Sequence, residues 1–208
     1  MGIHDCIQRN KETKDGKDFY QTPRVCVELL IERWIISNYP KETMFLDPCC
    51  GKKVIGKALS KYGYDNITEI DKYPVDPDGT SEDFFDYTGP FANKMVCIMN
   101  PPYSKKNEFI RHALDTCADV YTILPNQVES YNRFHELFMD VPEFIKKLSM
   151  RPKFYMTAEG YDWMSAPFTR GGLSNYRWFH HSKKNTRVEN YSKEEYADLM
   201  EFWETRSK

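Results

Sequence analysis

Nowhere in its 208 residues does the sequence approach the roughly 18 consecutive apolar residues that a membrane-spanning helix needs. Its first stretch, MGIHDCIQRNKETKDGKDF, lacks the apolar core of a secretory leader. A cytoplasmic protein with no membrane attachment is therefore expected. The six cysteines (Cys6, Cys26, Cys49, Cys50, Cys97 and Cys117) contain no CxxC pair and no Cys/His spacing of the zinc type. They read as reduced packing residues, and no metal centre is expected. Internal repeats and low-complexity tracts are missing as well, which excludes solenoid and fibrous architectures. A net charge of only −2 excludes attraction to a polyanion by overall charge.

The charge is nevertheless uneven. Between Ile145 and Val188 stand nine basic residues, among them Lys153 and Arg170, against only Glu159 and Asp162. That segment is either a phosphate-facing surface or an ordinary solvated face, and charge alone leaves both open. With 40% hydrophobic and 15% aromatic residues, the chain has the material for one sizeable core. The organisation expected is a flexible polar arm over residues 1–18 and a single domain over 19–208.

Hydrophobic periodicity predicts alternating strands and helices. Thr22-Pro23 opens the apolar-rich run RVCVELLIERWIISNY, a helix with a hydroxyl cap and a proline in its first turn. Met44–Leu46, Ile67–Ile70, Met95–Met99 and Val120–Leu124 read as buried strands, with helical faces Val54/Ile55/Ala58/Leu59/Tyr62 and Phe109/Ile110/Ala113/Leu114/Cys117 between them. Gly63 is placed to stop the first of these helices. Later segments at Phe144–Met150, Lys153–Met156 and Tyr176–His180 read as antiparallel strands, and a last helix opens with the capping box Ser192-Lys193-Glu194-Glu195. The fold class is α/β, a doubly wound and mostly parallel sheet with an antiparallel C-terminal strand pair. Ligands of such sheets bind outside the carboxyl ends of the strands, so sites are expected just after Leu46, Ile70 and Met99.

The most informative motif lies at the last of those places. Asn100-Pro101-Pro102-Tyr103 follows the apolar strand MVCIM directly. Two prolines fix φ and donate nothing, which makes a stiff corner. The Asn100 side-chain oxygen and the Pro101 carbonyl can both accept hydrogen bonds from one –NH2 group, and Tyr103 offers a flat surface for stacking a heterocycle. An arylamine is a poor nucleophile, so holding it in attack geometry supplies catalysis without a strong base.

On this motif the chain resembles the Rossmann-like amino-group methyltransferases, above all the adenine-N6 DNA methyltransferases, whose tetrapeptide is Asp, Asn or Ser followed by Pro-Pro and an aromatic residue. Phe19-Tyr20-Gln21-Thr22-Pro23 is similar to that family's Phe-x-x-Thr-Pro element, and Asp47-Pro48-Cys49-Cys50-Gly51 is similar to its Asp-Pro-x-Cys-Gly element. All precede the tetrapeptide in the family's order. The resemblance implies S-adenosylmethionine as cofactor, with Phe19, Thr22, Pro23, Asp47, Cys49, Gly51, Asp71, Asp83 and Phe84 around it. Thr22 and Gly51 would serve the methionine carboxylate, Asp47 the ammonium, Asp71 the ribose, and Asp83 and Phe84 the adenine. It further implies Asn100, Pro101, Pro102 and Tyr103 as catalytic residues, with the segments holding Lys153 and Phe168 flanking the target base and Phe168 either a wall of its pocket or core packing; Arg170-Gly171-Gly172 reads as a basic loop suited to phosphate contact or as a plain turn. One departure stands out: the family's second glycine is replaced in Gly51-Lys52-Lys53. Lys53 either crowds the cofactor or offers its ammonium to the carboxylate.

The reading is thus methylation of adenine N6 in DNA, with RNA adenine, cytosine N4, a protein glutamine amide, or a non-catalytic binding subunit as alternatives. So short a chain leaves little room for a recognition domain, so specificity is either short or supplied by a partner or by a second copy in a homodimer.

Overall fold

The computed structural model describes residues 20–75, 78–125, 143–147, 176–181 and 187–190. The arm predicted over 1–18, Phe19, the strand predicted at Lys153–Met156, the residues Phe168 and Arg170 and the helix predicted from Ser192 lie outside them.

The run MVCIM is apolar on both faces of its pleat, and it forms β4 (Val96–Met99) with every residue buried, as a strand covered on both sides requires. Its neighbours are β1 (Phe45–Asp47) on one side and β5 (Asp119–Pro125) on the other, both parallel to it. Beyond β1 lie β2 (Ile67–Asp71) and β3 (Thr80–Ser81), again parallel. Beyond β5 the sheet continues with β7 (Tyr176–His181), which is antiparallel both to β5 and to β6 (Glu143–Lys147). The last strand, β8 (Arg187–Asn190), pairs parallel with β6. The order β3-β2-β1-β4-β5-β7-β6-β8 is the expected doubly wound, mostly parallel sheet with its antiparallel pair. Two strands, β3 and β8, carry no sequence signal, since a run of two or four residues is too short for periodicity to emerge.

Among the described residues, four α-helical segments flank the parallel half. The first, α1 (Arg24–Leu30), passes through a π-helical turn at Ile31–Ile35 into α2 (Ile36–Asn38). Its cap differs from expectation: Pro23 occupies the capping position and no side chain caps the helix, so Thr22 stands one residue too early to do so. Val54, Ile55, Ala58 and Leu59 of the face predicted for α3 (Val54–Lys61) are buried, with Tyr62 partly buried just past its end, and the face predicted for α4 (Lys106–Thr116) is buried; Gly63, at φ 79°, follows α3 in the left-handed conformation glycine tolerates. Among the described residues no helix is long and apolar enough to cross a membrane.

Long-range polar contacts clamp these layers. On β7, Trp178 donates its indole N–H to the Cys26 carbonyl of α1 at 2.7 Å. At the amino end of β5, the Tyr39 hydroxyl bonds Asp119 at 2.9 Å and lies 2.9 Å from the Tyr121 hydroxyl, which also accepts from the Trp34 indole. His180 meets the other oxygen of Asp119 at 3.0 Å and stacks on Tyr121 at 4.3 Å. This network sits at the end of the sheet opposite the carboxyl termini of the strands, so it fastens the helical layer and leaves the crevice to other residues.

Candidate active site at the switch point

The sheet grows in opposite directions from β1 and β4, so the crevice beyond Asp47 and Met99 is its topological switch point. β1 ends in Asp47, which is 2% exposed and accepts the Cys49 N–H at 3.3 Å. Its cross-strand neighbour is Glu69. Burial, then the nearby charges of Glu69 and Asp71, push the Asp47 carboxyl well above the usual carboxylate range. Glu69 reaches under α3, where a Cβ on Gly56 would stand 2.1 Å from its carboxylate oxygen and would push that side chain aside.

The chain leaves β1 in a tight turn. Gly51 adopts φ 51° and donates its N–H to Asp71 Oδ2 at 3.0 Å, while Asp71 Oδ1 accepts from Tyr73 N at 2.8 Å. Asp71 therefore ties the end of β2 to the glycine turn. Lys53 closes the turn at φ 58° and is the one non-glycine residue at positive φ among the described residues. The position the family fills with glycine thus keeps a glycine-like backbone with a lysine in it, at a steric cost. Its ammonium reaches the Asp78 carbonyl at 3.3 Å in exposed surroundings.

Across the crevice stands the diproline corner. Pro101 is buried, Pro102 adopts φ −58° and ψ 123°, and Tyr103, 9% exposed, opens the short 3-10 turn that leads into α4. The corner is anchored to both its flanks. The Cys49 thiol donates to the Asn100 carbonyl at 3.2 Å, and the Asn100 side-chain N–H2 donates to the Tyr20 carbonyl at 2.6 Å. Lys105 N–H takes the Pro102 carbonyl at 3.0 Å. Asn100 Oδ1 is buried and has no hydrogen-bond partner among the described residues. A buried acceptor left open in this way costs stability, on the order of 1–3 kcal/mol, unless something donates to it.

The segment before α1 joins the two halves. Gln21, 4% exposed, accepts the Lys52 N–H at 3.0 Å, and the Tyr20 ring stacks on Tyr103 with centroids 5.0 Å apart and planes 22° from parallel. Neither Tyr20 nor Gln21 is singled out by the sequence, since the roles they play run through a backbone carbonyl and a remote amide. The structure thus brings Asp47, Cys49, Gly51 and Asp71 together with Asn100 and Tyr103, and Thr22 and Pro23 flank them.

Asp83 and Phe84 sit differently from the rest. Asp83 caps a short turn by accepting Phe85 N–H at 3.2 Å and pairs with Lys72 at 2.5 Å, a contact that lowers its carboxyl below the usual range. Phe84 is 1% exposed and packs against Phe109 and His112, whereas Phe85 beside it is 40% exposed. Lys153, Phe168 and Arg170 fall outside the described residues.

No protein-family model matches the chain, and no curated protein matches it in sequence. Solved structures do match. The chain is similar to the type I restriction-modification system methyltransferase subunit from Streptococcus thermophilus, with TM-score 0.58 and 10% identity over 90% of this chain and 53% of that one. It is similar to a candidate RNA methyltransferase from Pyrococcus horikoshii, with TM-score 0.55 and 14% identity over 83% and 91% of the two chains. A candidate class I S-adenosylmethionine-dependent methyltransferase from Listeria monocytogenes gives TM-score 0.54 and 12% identity over 87% and 70%. At such identities the likeness is one of fold: the chain has the Rossmann-like fold of class I methyltransferases.

Proposed function

We propose that the chain is an S-adenosylmethionine-dependent methyltransferase acting on the exocyclic amino group of a nucleic-acid base, with adenine N6 in DNA as the target. The observation that carries this reading is the unpartnered Asn100 Oδ1 at the switch-point crevice, held by the Tyr20 carbonyl so that the amide presents oxygen and not N–H2. An amine donor is the complement of that atom.

The cofactor fits the other half of the crevice on chemical grounds. Asp47, Glu69 and Asp71 crowd together there, and burial with repulsion from the neighbouring carboxylates pushes the Asp47 carboxyl well above the usual carboxylate range. A ligand bearing an ammonium and a sulfonium relieves that repulsion. Asp47 would take the ammonium, Asp71 the ribose hydroxyls, and Thr22 with the Gly51 turn the carboxylate, while Phe19, Pro23, Cys49, Asp83 and Phe84 would line the remainder. When bound, the cofactor supplies an electrophilic methyl group on sulfur.

The chain's own residues then orient the nucleophile. Asn100 Oδ1 and the Pro101 carbonyl accept the two amino hydrogens, which turns the nitrogen lone pair out of the ring plane. Pro102 keeps the corner stiff, and Tyr103 stacks on the base after it leaves the helix. Base stacking contributes about 1–3 kcal/mol against the few kcal/mol that flipping costs. Lys153, Arg170 and their basic neighbours supply phosphate contacts, and Phe168 supplies the opposite wall. The likeness to a restriction-modification subunit supports DNA, and a homodimer or specificity partner would complete recognition.

The test is methyl transfer from labelled S-adenosylmethionine to DNA, RNA and protein, with sequencing of modified bases after expression in a host lacking adenine methylation. N6-methyladenine in DNA, absent with Asn100→Ala, is the expected result. Label in RNA or protein alone would reassign the substrate, and cofactor binding without transfer to any acceptor would make the chain a binding subunit.

A further inference from the structure

We infer that Tyr20 is a gate and positioning residue of this site: its ring occupies the stacking face of Tyr103, and an incoming base must displace that ring to reach Asn100. The inference rests on the base-amine reading above. Two observations meet here, the second of which also carries that reading. First, the Tyr20 and Tyr103 rings are stacked at 5.0 Å and 22°, within the range of rings in direct contact, so no third ring lies between them. Second, Asn100 Oδ1 is sealed from water as well as unpartnered among the described residues. An acceptor meant for a substrate amine is of no use while closed off, so entry requires a movement beside the corner, and Tyr20 is the aromatic residue that touches it there.

The geometry lets Tyr20 do two jobs without conflict. Its carbonyl holds the Asn100 amide at 2.6 Å, whereas its ring lies on Tyr103. Rotation about the Cα–Cβ bond swings the ring aside and leaves the carbonyl in place. Asn100 therefore keeps its orientation while the stacking face opens. A planar heterocycle offers Tyr103 the same kind of contact that the Tyr20 ring gives up, so the exchange favours flat aromatic substrates over a flexible aliphatic amide. Adjacent Gln21 accepts the Lys52 N–H of the glycine turn at 3.0 Å, which holds the backbone in place while the ring turns.

The experiment measures equilibrium binding of short single-stranded oligodeoxynucleotides, each with one adenine in randomised flanks or none, to the full chain saturated with S-adenosylhomocysteine. Tyr20→Ala is expected to bind the adenine-containing strand about 2- to 10-fold more tightly than the unmodified protein, since no ring pair has to be broken. Tyr20→Phe keeps the ring and is expected to bind like the unmodified protein. Tyr20→Leu serves as the non-aromatic variant where Tyr20→Ala melts early. Unchanged or weaker binding by the non-aromatic variants, with methyl transfer to the strand intact, would overturn the gate and leave the methyltransferase reading standing. No preference for adenine in the unmodified protein, together with no transfer, would remove the base-amine reading and the gate with it.

Discussion

The side-chain amide of Asn100 and the backbone carbonyl of Tyr20 meet at 2.6 Å although 80 positions separate them in the sequence. The contact needs a donor, which the amide supplies through its N–H2 while its own oxygen stays on the other side. The family that this corner resembles accepts Asp, Asn or Ser at the position, and an ionised Asp would have no proton to give that carbonyl.

Asn100→Ala is expected to lower methyl transfer by 100-fold or more, the order seen when one oriented catalytic contact is removed. Affinity for S-adenosylmethionine by calorimetry should be unchanged. Asn100→Asp sets a carboxylate oxygen against the Tyr20 carbonyl and should cost about 1–3 kcal/mol in urea unfolding, besides the loss of activity.

Lys53→Gly is expected to stabilise the chain by roughly 1 kcal/mol, because it removes a Cβ from a left-handed backbone at φ 58°. Lys53→Ala keeps the Cβ and should give no such gain. Chemical denaturation of both variants checks the assignment. A Gly variant no more stable than the Ala variant would show that the turn is unstrained.

Asp47 has a folded carboxyl raised above its unfolded value of about 3.9. Its contribution to stability is present below about pH 4 and is lost as pH rises through the folded value. Asp47→Asn should therefore melt higher than the parent at pH 7 and about the same at pH 3.5. The same change removes a partner for an ammonium, so S-adenosylmethionine affinity should fall roughly tenfold. In the parent that affinity should rise with pH as Asp47 ionises, and in the Asn variant it should not.

Buried His181, whose Nε2 lies 2.9 Å from the Thr122 hydroxyl, is held down to about 3 by burial and then by the charge of His180. Its folded value lies below the unfolded value of about 6.5, so the stability it contributes is complete above pH 6.5 and declines as pH falls toward 3. The slope approaches about 1.4 kcal/mol per pH unit within that window. His181→Gln should flatten the pH dependence of unfolding between those limits, and an unaltered slope would assign the acid sensitivity to other groups.

Much of this was legible along the chain. Strands such as MVCIM announce themselves because a two-sided core demands an unbroken apolar run, and the diproline corner is a local feature that no partner is needed to recognise. β3 and β8 are not legible, being ladders of two and four residues that exist only through pairing with β2 and β6. The helix cap differs by one residue because Pro23 satisfies the start of α1 and leaves Thr22 outside it.

What the sequence determined by itself is the alternation of elements, and hence the doubly wound sheet and its switch point. It also determined the stiffness of the Asn100–Tyr103 corner, through two residues whose φ is set by covalent rings. Tertiary structure alone decided which way the Asn100 amide faces, that Lys53 keeps a glycine's backbone, and that Tyr20 covers Tyr103. The first and the last of those depend on a partner far away in the chain, and a periodic pattern read along one strand or helix carries no information about atoms that meet only after the sheet has formed.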